Sequence, residues 1–333
     1  MPDIPLLLIV IVLVALVFDY TNGAHDAANA IAPVISTRVM SPKAAVIMAV
    51  LLNFLGAFLG TSVAETMGKG IINLEMILGC RTLLLAALIG AILWNVLTWW
   101  LGMPSSSSHA LVGGLMGAAI VTSGWDCLQI GPILKKVILP LFLSPLGGFL
   151  AGYVLMVGIA HATRSFRYRP TNTAFKRLQI LTSGFMALSH GLNDAQKTMG
   201  IITLALVIFH QIPELVVPFW VKVACAGAMG AGTMSGGWKI IKTMGQKIFK
   251  MEPVHGFAAQ TATTAVIMIA SWAGAPISTT QVISSSVLGV GASKRFSAVH
   301  WEVGGRMVVA WFVTIPASAL VGGGVMVLIR LLG

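Results

Sequence analysis

Charge is what this chain has least of. Asp, Glu, Lys and Arg make up 9% of its 333 residues, where a soluble chain carries roughly 25%. No water-facing surface can be built from so few ionisable groups, so a soluble globular class is excluded. Acid is scarcer still, with 10 Asp and Glu against 21 Lys and Arg. The net charge of +11 does not mark a nucleic-acid binder, because a basic stripe needs a soluble domain to present it. Cysteine is nearly absent: Cys80, Cys127 and Cys225 stand alone, without metal or redox spacing, and read as core residues. The first residues, Met1-Pro2-Asp3, lack a basic n-region, so the first apolar run reads as a retained span and not a cleaved signal. Beyond the two Asp segments taken up below, paired carboxylates with metal spacing and Cys/His nucleophile arrangements are also missing, so an enzyme is not expected.

What the chain has in quantity is hydrocarbon. Hydrophobic residues make up 57% of it, and mean hydropathy is +0.91. The runs Leu6 to Phe18, Thr82 to Gly102 and Val308 to Ile329 are long and nearly charge-free. A bilayer core takes about 20 such residues per helix. Several runs predict an all-α polytopic protein, multi-pass in the cell inner (plasma) membrane. Arg164, Arg167, Arg169, Lys176 and Arg177 fall together between apolar runs with no acid among them, the mark of a cytoplasmic loop.

The chain also repeats itself. Gly-Ala-His-Asp-Ala from Gly23 faces Gly-Leu-Asn-Asp-Ala from Gly191, an offset of 191 − 23 = 168. Gly102-Met-Pro-Ser-Ser-Ser-Ser-His109 faces Gly274-Ala-Pro-Ile-Ser-Thr-Thr-Gln281, an offset of 276 − 104 = 172. Gly60-Thr61 and Gly232-Thr233 share the second offset. These matches, in one order, predict a duplication: repeat 1 over 1–160, a basic linker over 161–177, and repeat 2 over 178–333. Each repeat is expected to carry an Asp segment with a broken helix, then a re-entrant Ser/Thr hairpin. Such halves point to a secondary transporter. Lys239, Lys242, Lys247 and Lys250 contrast with Lys69, Glu75 and Arg81 near 66–81, which suits inverted copies. Residues 131–160 fit one long span or a short arm followed by a span, which leaves the orientation open.

Ser105 to Ser108 and Ser278 to Thr280 each follow a proline and precede an apolar stretch, a helix N-terminus signal. A helix N-terminus binds anions through unpaired N–H groups, and hydroxyls add rotatable donors for a tetrahedral anion. The plainer alternative is that these hydroxyls cap helices or join neighbouring ones. Asp26 and Asp194 sit in stretches suited to a bilayer, where a carboxylate must be paired, protonated or cation-bound. With Asn22, Asn29 and Asn193 close by in sequence, they offer hard oxygen ligands for Na⁺, a divalent metal or a proton. Anion donors beside cation ligands predict coupled transport of an inorganic oxyanion. The alternatives are sulfate or another tetrahedral oxyanion as substrate, and, more distantly, an anion channel.

Asn22 to Ala30 (Asn-Gly-Ala-His-Asp-Ala-Ala-Asn-Ala) and His190 to Lys197 (His-Gly-Leu-Asn-Asp-Ala-Gln-Lys) resemble the paired signatures of the inorganic phosphate transporter family, Gly-Ala-Asn-Asp-x-x-Asn-Ala in each half. The hydroxyl hairpins match in type and order, so the resemblance spans nearly the whole chain. It implies an inverted-repeat, ion-coupled phosphate symporter, commonly a homodimer, with no cofactor beyond the co-transported cation. Phosphate would then contact Ser106, Ser107, Ser108, Ser278, Thr279 and Thr280. The coupling cation or proton would be served by Asp26, Asn29, Asn193 and Asp194, with Asp26 and Asp194 as the metal ligands for Na⁺ or a divalent ion. Two residues depart from the pattern: His25 replaces its first Asn in copy one, and Lys197 its last Asn in copy two. Lys197, three residues from Asp194, lies on the same face if the segment is helical and is expected to stand in for one Na⁺. His25 offers a titratable group near neutrality or a packing histidine. The expected coupling ion is therefore H⁺ or a metal–phosphate complex, with Na⁺ as the alternative. His109 and Gln281 either donate to the anion or pack behind it.

Overall fold

A computed structural model describes residues 5–69 and 80–332. Met1, Pro2, Asp3 and Glu75, on which two readings above draw, lie outside the described residues, as does the Lys69 side chain. The described chain is helical, with no β-strand: α1 Leu6–Ser36, α2 Pro42–Gly56, α3 Ser62–Lys69, α4 Leu83–Leu101, α5 Ser107–Ser123, α6 Ile130–Thr163, α7 Tyr168–Ile208, α8 Phe219–Ser235, α9 Trp238–Lys242, α10 Pro253–Trp272, α11 Thr279–Lys294 and α12 Trp301–Leu332. Among the described residues, α1, α4, α6 and α12 are long and apolar enough to cross a bilayer.

Polarity runs inside out. Leu6, Ile9, Leu13, Val17 and Tyr20 form one exposed apolar stripe on α1, while Asn22, Asp26 and Asn29 are buried. Large exposed apolar faces are matched to lipid, and the polar groups are gathered inside.

The two Asp segments are not broken helices. α1 runs unbroken through Asp26 and α7 unbroken through Asp194. Small residues explain this: Gly23, Ala24, Ala27 and Ala28 let neighbours close in, so the polar side chains are satisfied laterally without unwinding the backbone. The chain breaks instead before the hydroxyl runs. Gly102 and Gly274 close α4 and α10 at φ +67° and +66°, a left-handed conformation that glycine adopts without strain. Met103 N–H donates to Thr98 O, and Ala275 N–H to Ala270 O, so both helices end in the same six-residue closure. Of the basic stretch 161–177, only residues 164–167 lie between helices; α6 and α7 claim the rest. Residues 131–160 belong to one continuous helical stretch, with a π turn at Leu134–Ile138 and Pro145 inside it.

Helices pair across the chain. α1 packs on α8 and α7 on α2; α5 packs on α12 and α11 on α6. A Cβ on Gly23 would collide with the backbone of Met229, and one on Gly191 with the backbone of Asn53. Gly56 abuts the backbone at Leu188 and Leu192, and Gly232 abuts it at Tyr20 and Ala24. Since 188 − 20 = 168 and 192 − 24 = 168, the partner of Gly232 is Gly56 and not Gly60. That pairing corrects the match proposed from sequence. Identity of residue type misled there, because the backbone register sets the close approach. Gly113, Gly114 and Gly117 likewise admit α12 and α4 to backbone distance.

Overpacking a backbone contact costs about 1–3 kcal/mol. Gly191→Ala is therefore expected to lower the thermal unfolding midpoint of the detergent-purified protein. Gly147→Ala, where nothing lies within 4 Å, should not lower it. Equal midpoints for the two variants would contradict the packing account.

Candidate functional site

The Asp helices and the hydroxyl runs meet in one buried cluster. Ser106 caps α5 by accepting from His109 N–H at 3.2 Å, and Ser278 caps α11 by accepting from Gln281 N–H at 3.3 Å. A cap fixes the first turn, so the next two hydroxyls of each run point together. Thr279 Oγ1 donates to Asp194 Oδ2 at 2.6 Å, and Ser107 Oγ to Asp26 Oδ2 at 3.1 Å. Thr280 Oγ1 crosses to Asp26 Oδ1 at 2.9 Å. Asn29 Nδ2 donates to Thr280 Oγ1 at 3.0 Å and to Thr279 Oγ1 at 3.2 Å.

Lys197 stands at the sequence offset of 168 from Asn29 (29 + 168 = 197). Its Nζ donates to Ser108 Oγ, to Ile277 O at 2.9 Å and to Asp194 Oδ1. The ammonium is 1% exposed, so its charge is offset by Asp194 and two further oxygens. A buried pair of this kind contributes little net stability, but removing one partner is costly.

Histidines complete the acid pair. His25 Nδ1 lies 2.8 Å from Asp26 Oδ1, and its Nε2 faces Ser105 and Thr98 hydroxyls at 3.3 and 3.4 Å. His190 Nε2 lies 2.9 Å from Asp194 Oδ2, off the hydrogen-bond direction, and 4.0 Å from Asp26 Oδ2. Asp26, His190 and Asp194 thus bring three ligand atoms within 4.8 Å of one another. His190 carried no expected role from sequence. Two signals could have found it: it stands four residues before Asp194, on the same helical face, and it is the counterpart of Asn22 (22 + 168 = 190). Asn22 itself accepts from Ser107 Oγ at 2.6 Å.

Not every expected residue reaches the acids. Asn193 donates to Ser271 Oγ at 2.8 Å and to Ala275 O at 3.4 Å, and hydrogen-bonds neither Asp26 nor Asp194. The Ser106 and Ser278 hydroxyls are engaged as caps. His109 Nδ1 and Gln281 Nε2 sit 3.3 Å apart, joining α5 to α11 behind the hydroxyl runs. Ser108 reaches Asp194 only through Lys197.

Chemically, the cluster presents two carboxylates, a fixed cation and four hydroxyls beyond the caps, all closed off from water. Two helix N-termini, one from each half of the chain, converge on it. Such a set can take an oxyanion at the helix starts and a cation or proton at the acids.

A model of the phosphate transporter family matches residues 22–169 and again residues 160–322. A probable low-affinity inorganic phosphate transporter of Bacillus subtilis (strain 168) is 46% identical over 96% of this chain and 96% of its own. One bearing the same description from Mycobacterium tuberculosis (strain ATCC 25618 / H37Rv) is 44% identical over 98% of this chain and 78% of its own. Among solved structures, a sodium-dependent phosphate transporter superposes with a TM-score of 0.88 at 25% identity, covering 98% of this chain and 99% of that one.

Proposed function

The chain belongs to the phosphate transporter family, and we propose that it is a secondary active symporter of inorganic phosphate working by alternating access. The observation that carries this reading is the meeting of hydroxyls from two helix starts with two buried acids, through the Ser107–Asp26, Thr280–Asp26 and Thr279–Asp194 bonds. Phosphate would be held by Ser107, Ser108, Thr279 and Thr280, with Ser106 and Ser278 fixing the helix starts. Asp26, Asp194, Asn29 and His25 would serve the coupling ion, with Asn193 supporting the α10 end. Repeats over 1–160 and 178–333, joined by 161–177, would act as inverted halves rocking about this site, with the hydroxyl segments as re-entrant hairpins. A homodimer in the plasma membrane fits the family.

Acceptors beside the donors favour phosphate over sulfate. Phosphate keeps a protonated oxygen near neutral pH and needs an acceptor for it, which sulfate does not; Asp26 and Asp194 supply one. Lys197 bears on the coupling ion. An ammonium at Asp194 already supplies the charge a Na⁺ would bring there, and His190 adds a second nitrogen. We read the driving ion as H⁺, or H⁺ with a metal–phosphate complex, in place of Na⁺ at that position.

In proteoliposomes of the purified protein, labelled phosphate should accumulate under an inward H⁺ gradient and resist excess sulfate. Uptake of sulfate with none of phosphate would overturn the substrate, and flux without accumulation would favour a channel.

A further inference from the structure

A third buried acid lies outside the duplicated pattern. Asp19 stands seven residues before Asp26 on α1, about 10 Å along the axis at 1.5 Å per residue. The steps of three and four through Asn22 place Asp19, Asn22 and Asp26 on one helix face. Asp19 is 0% exposed, and neither carboxylate oxygen has a hydrogen-bond partner. Thr198 of α7 and the Cys225 thiol of α8 face it without reaching hydrogen-bond geometry. Thr198 Oγ1 and Asn22 Nδ2 are themselves unpartnered. The residue equivalent to Asp19 in the other half is Ala187 (19 + 168 = 187), so the acid is an addition to one half only.

The surroundings decide what this carboxyl can hold. Asp194 and His190 of α7 act on it electrostatically, and His25 and Asp26 share its own helix. Lys197 of α7 is committed to Asp194 and Ser108. α4 carries no titratable side chain, Lys43 of α2 and Lys239 and Lys242 of α9 are exposed, and Lys222 of α8 is part-exposed. His190 lies against Asp194 at 2.9 Å and Asp26 at 4.0 Å, so no cation forms a salt bridge with Asp19 among the described residues. A buried carboxylate without a counter-ion, whose nearest donors fall short of hydrogen-bond geometry, is strongly disfavoured. A hard metal cation would want about six oxygen ligands, whereas one carboxylate, one hydroxyl and a thiol are on hand. A proton needs one oxygen.

We propose that Asp19 is a proton-carrying site of the transport cycle. The carboxylate takes up one H⁺ from water on the entry side, forming an O–H bond, and gives the same H⁺ back to water on the exit side once the site reopens. Asn22 continues the polar face towards Asp26, linking the carrier to the anion cluster. This inference rests on the H⁺-coupled reading above and names the group that carries the ion.

The test compares unmodified protein, Asp19→Asn and Asp19→Glu in proteoliposomes. Two readings are made: phosphate exchange at equal pH, which moves no net proton, and accumulation under an inward pH gradient with internal pH followed by a trapped dye. A gradient of about one pH unit is worth about tenfold accumulation per coupled proton. Asp19→Asn should keep exchange, lose about tenfold in accumulation and admit fewer protons per phosphate, while Asp19→Glu keeps the response. Accumulation by Asp19→Asn equal to that of the unmodified protein would overturn the proposal. So would a parallel loss of exchange and accumulation that Asp19→Glu shares, since that marks a residue needed only for shape. Absence of phosphate uptake by the unmodified protein would instead sink the symporter reading itself. A response of the unmodified protein to Na⁺ but not to pH would sink the proton in both.

Discussion

Lys197→Asn is expected to make phosphate uptake depend on external Na⁺. The ammonium gives Asp194 its nearest positive charge, deep in a cluster that water does not reach. Leaving a buried carboxylate without its partner costs about 3–5 kcal/mol, a factor of more than about 100 in any equilibrium that needs the charged form. A variant with Asn there must recover that energy from a bound cation or a proton. Asn offers a carbonyl oxygen in the place that Asn29 fills in the other half, so a small hard cation becomes the natural substitute. Uptake by Lys197→Asn in Na⁺ medium should exceed that in choline medium by at least about tenfold. The unmodified protein should not distinguish the two media. If the unmodified protein already requires Na⁺ and ignores the pH gradient, the substitution account is wrong. Lys197→Ala, which adds no oxygen, should lose uptake in both media.

Asp26→Asn should reduce transport more than about 100-fold, because a hydrogen bond to a charged group contributes about 1.5–3 kcal/mol and Asp26 accepts from two hydroxyls. Ser107 and Thr280 donate to its separate oxygens, and His25 closes on the same oxygen as Thr280. An amide keeps one acceptor and turns a donor towards the other side, so at least one hydroxyl is left facing N–H. The hydroxyls belong to α5 and α11, one from each half, so the loss also loosens the halves from each other. Phosphate binding and transport should both fall, and size-exclusion behaviour in detergent should stay unchanged. Transport close to that of the unmodified protein would remove Asp26 from the coupling group.

Much of this was legible in the sequence, for physical reasons that differ by residue. The helix starts at the two hydroxyl runs declared themselves because capping is local, but which hydroxyl caps did not: Ser106 and Ser278, expected at the phosphate, are the caps. The offset of 168 paired Asp26 with Asp194 and Asn29 with Lys197, and the structure brings the two acids together in one cluster. Where the sequence misled, the cause was long-range. Breaks were expected at the Asp segments because polar groups near a bilayer centre suggest unwound backbone. Here, side chains of α5, α7 and α11 satisfy those groups laterally, and the helices run on. Gly60 matched Gly232 by type, yet the backbone clearances belong to Gly56. His190 went without a role because its value lies in being 2.9 Å from one acid and 4.0 Å from the other, a relation no single-helix pattern contains. Asp19 lacked any repeat partner, and its significance comes from what does not surround it.

The crossing of the halves also governs how the chain is made. Thr280, which bonds Asp26, lies 254 residues further along the chain. At about 5–20 residues per second of synthesis, α1 waits roughly 10–50 s before its acid meets that hydroxyl. Through most of that interval the first helix has the Ser107 hydroxyl, 81 residues after Asp26, but not yet the partners that α11 brings. His25 beside Asp26 and the Gly- and Ala-rich face of α1 are all the nascent helix brings of its own. Assembly is therefore closed by the last third of the chain, and a truncated product ending before α11 leaves Asp26 with Ser107 and His25 but without the Thr280 hydroxyl, a feature by which membrane quality control can tell it from finished protein.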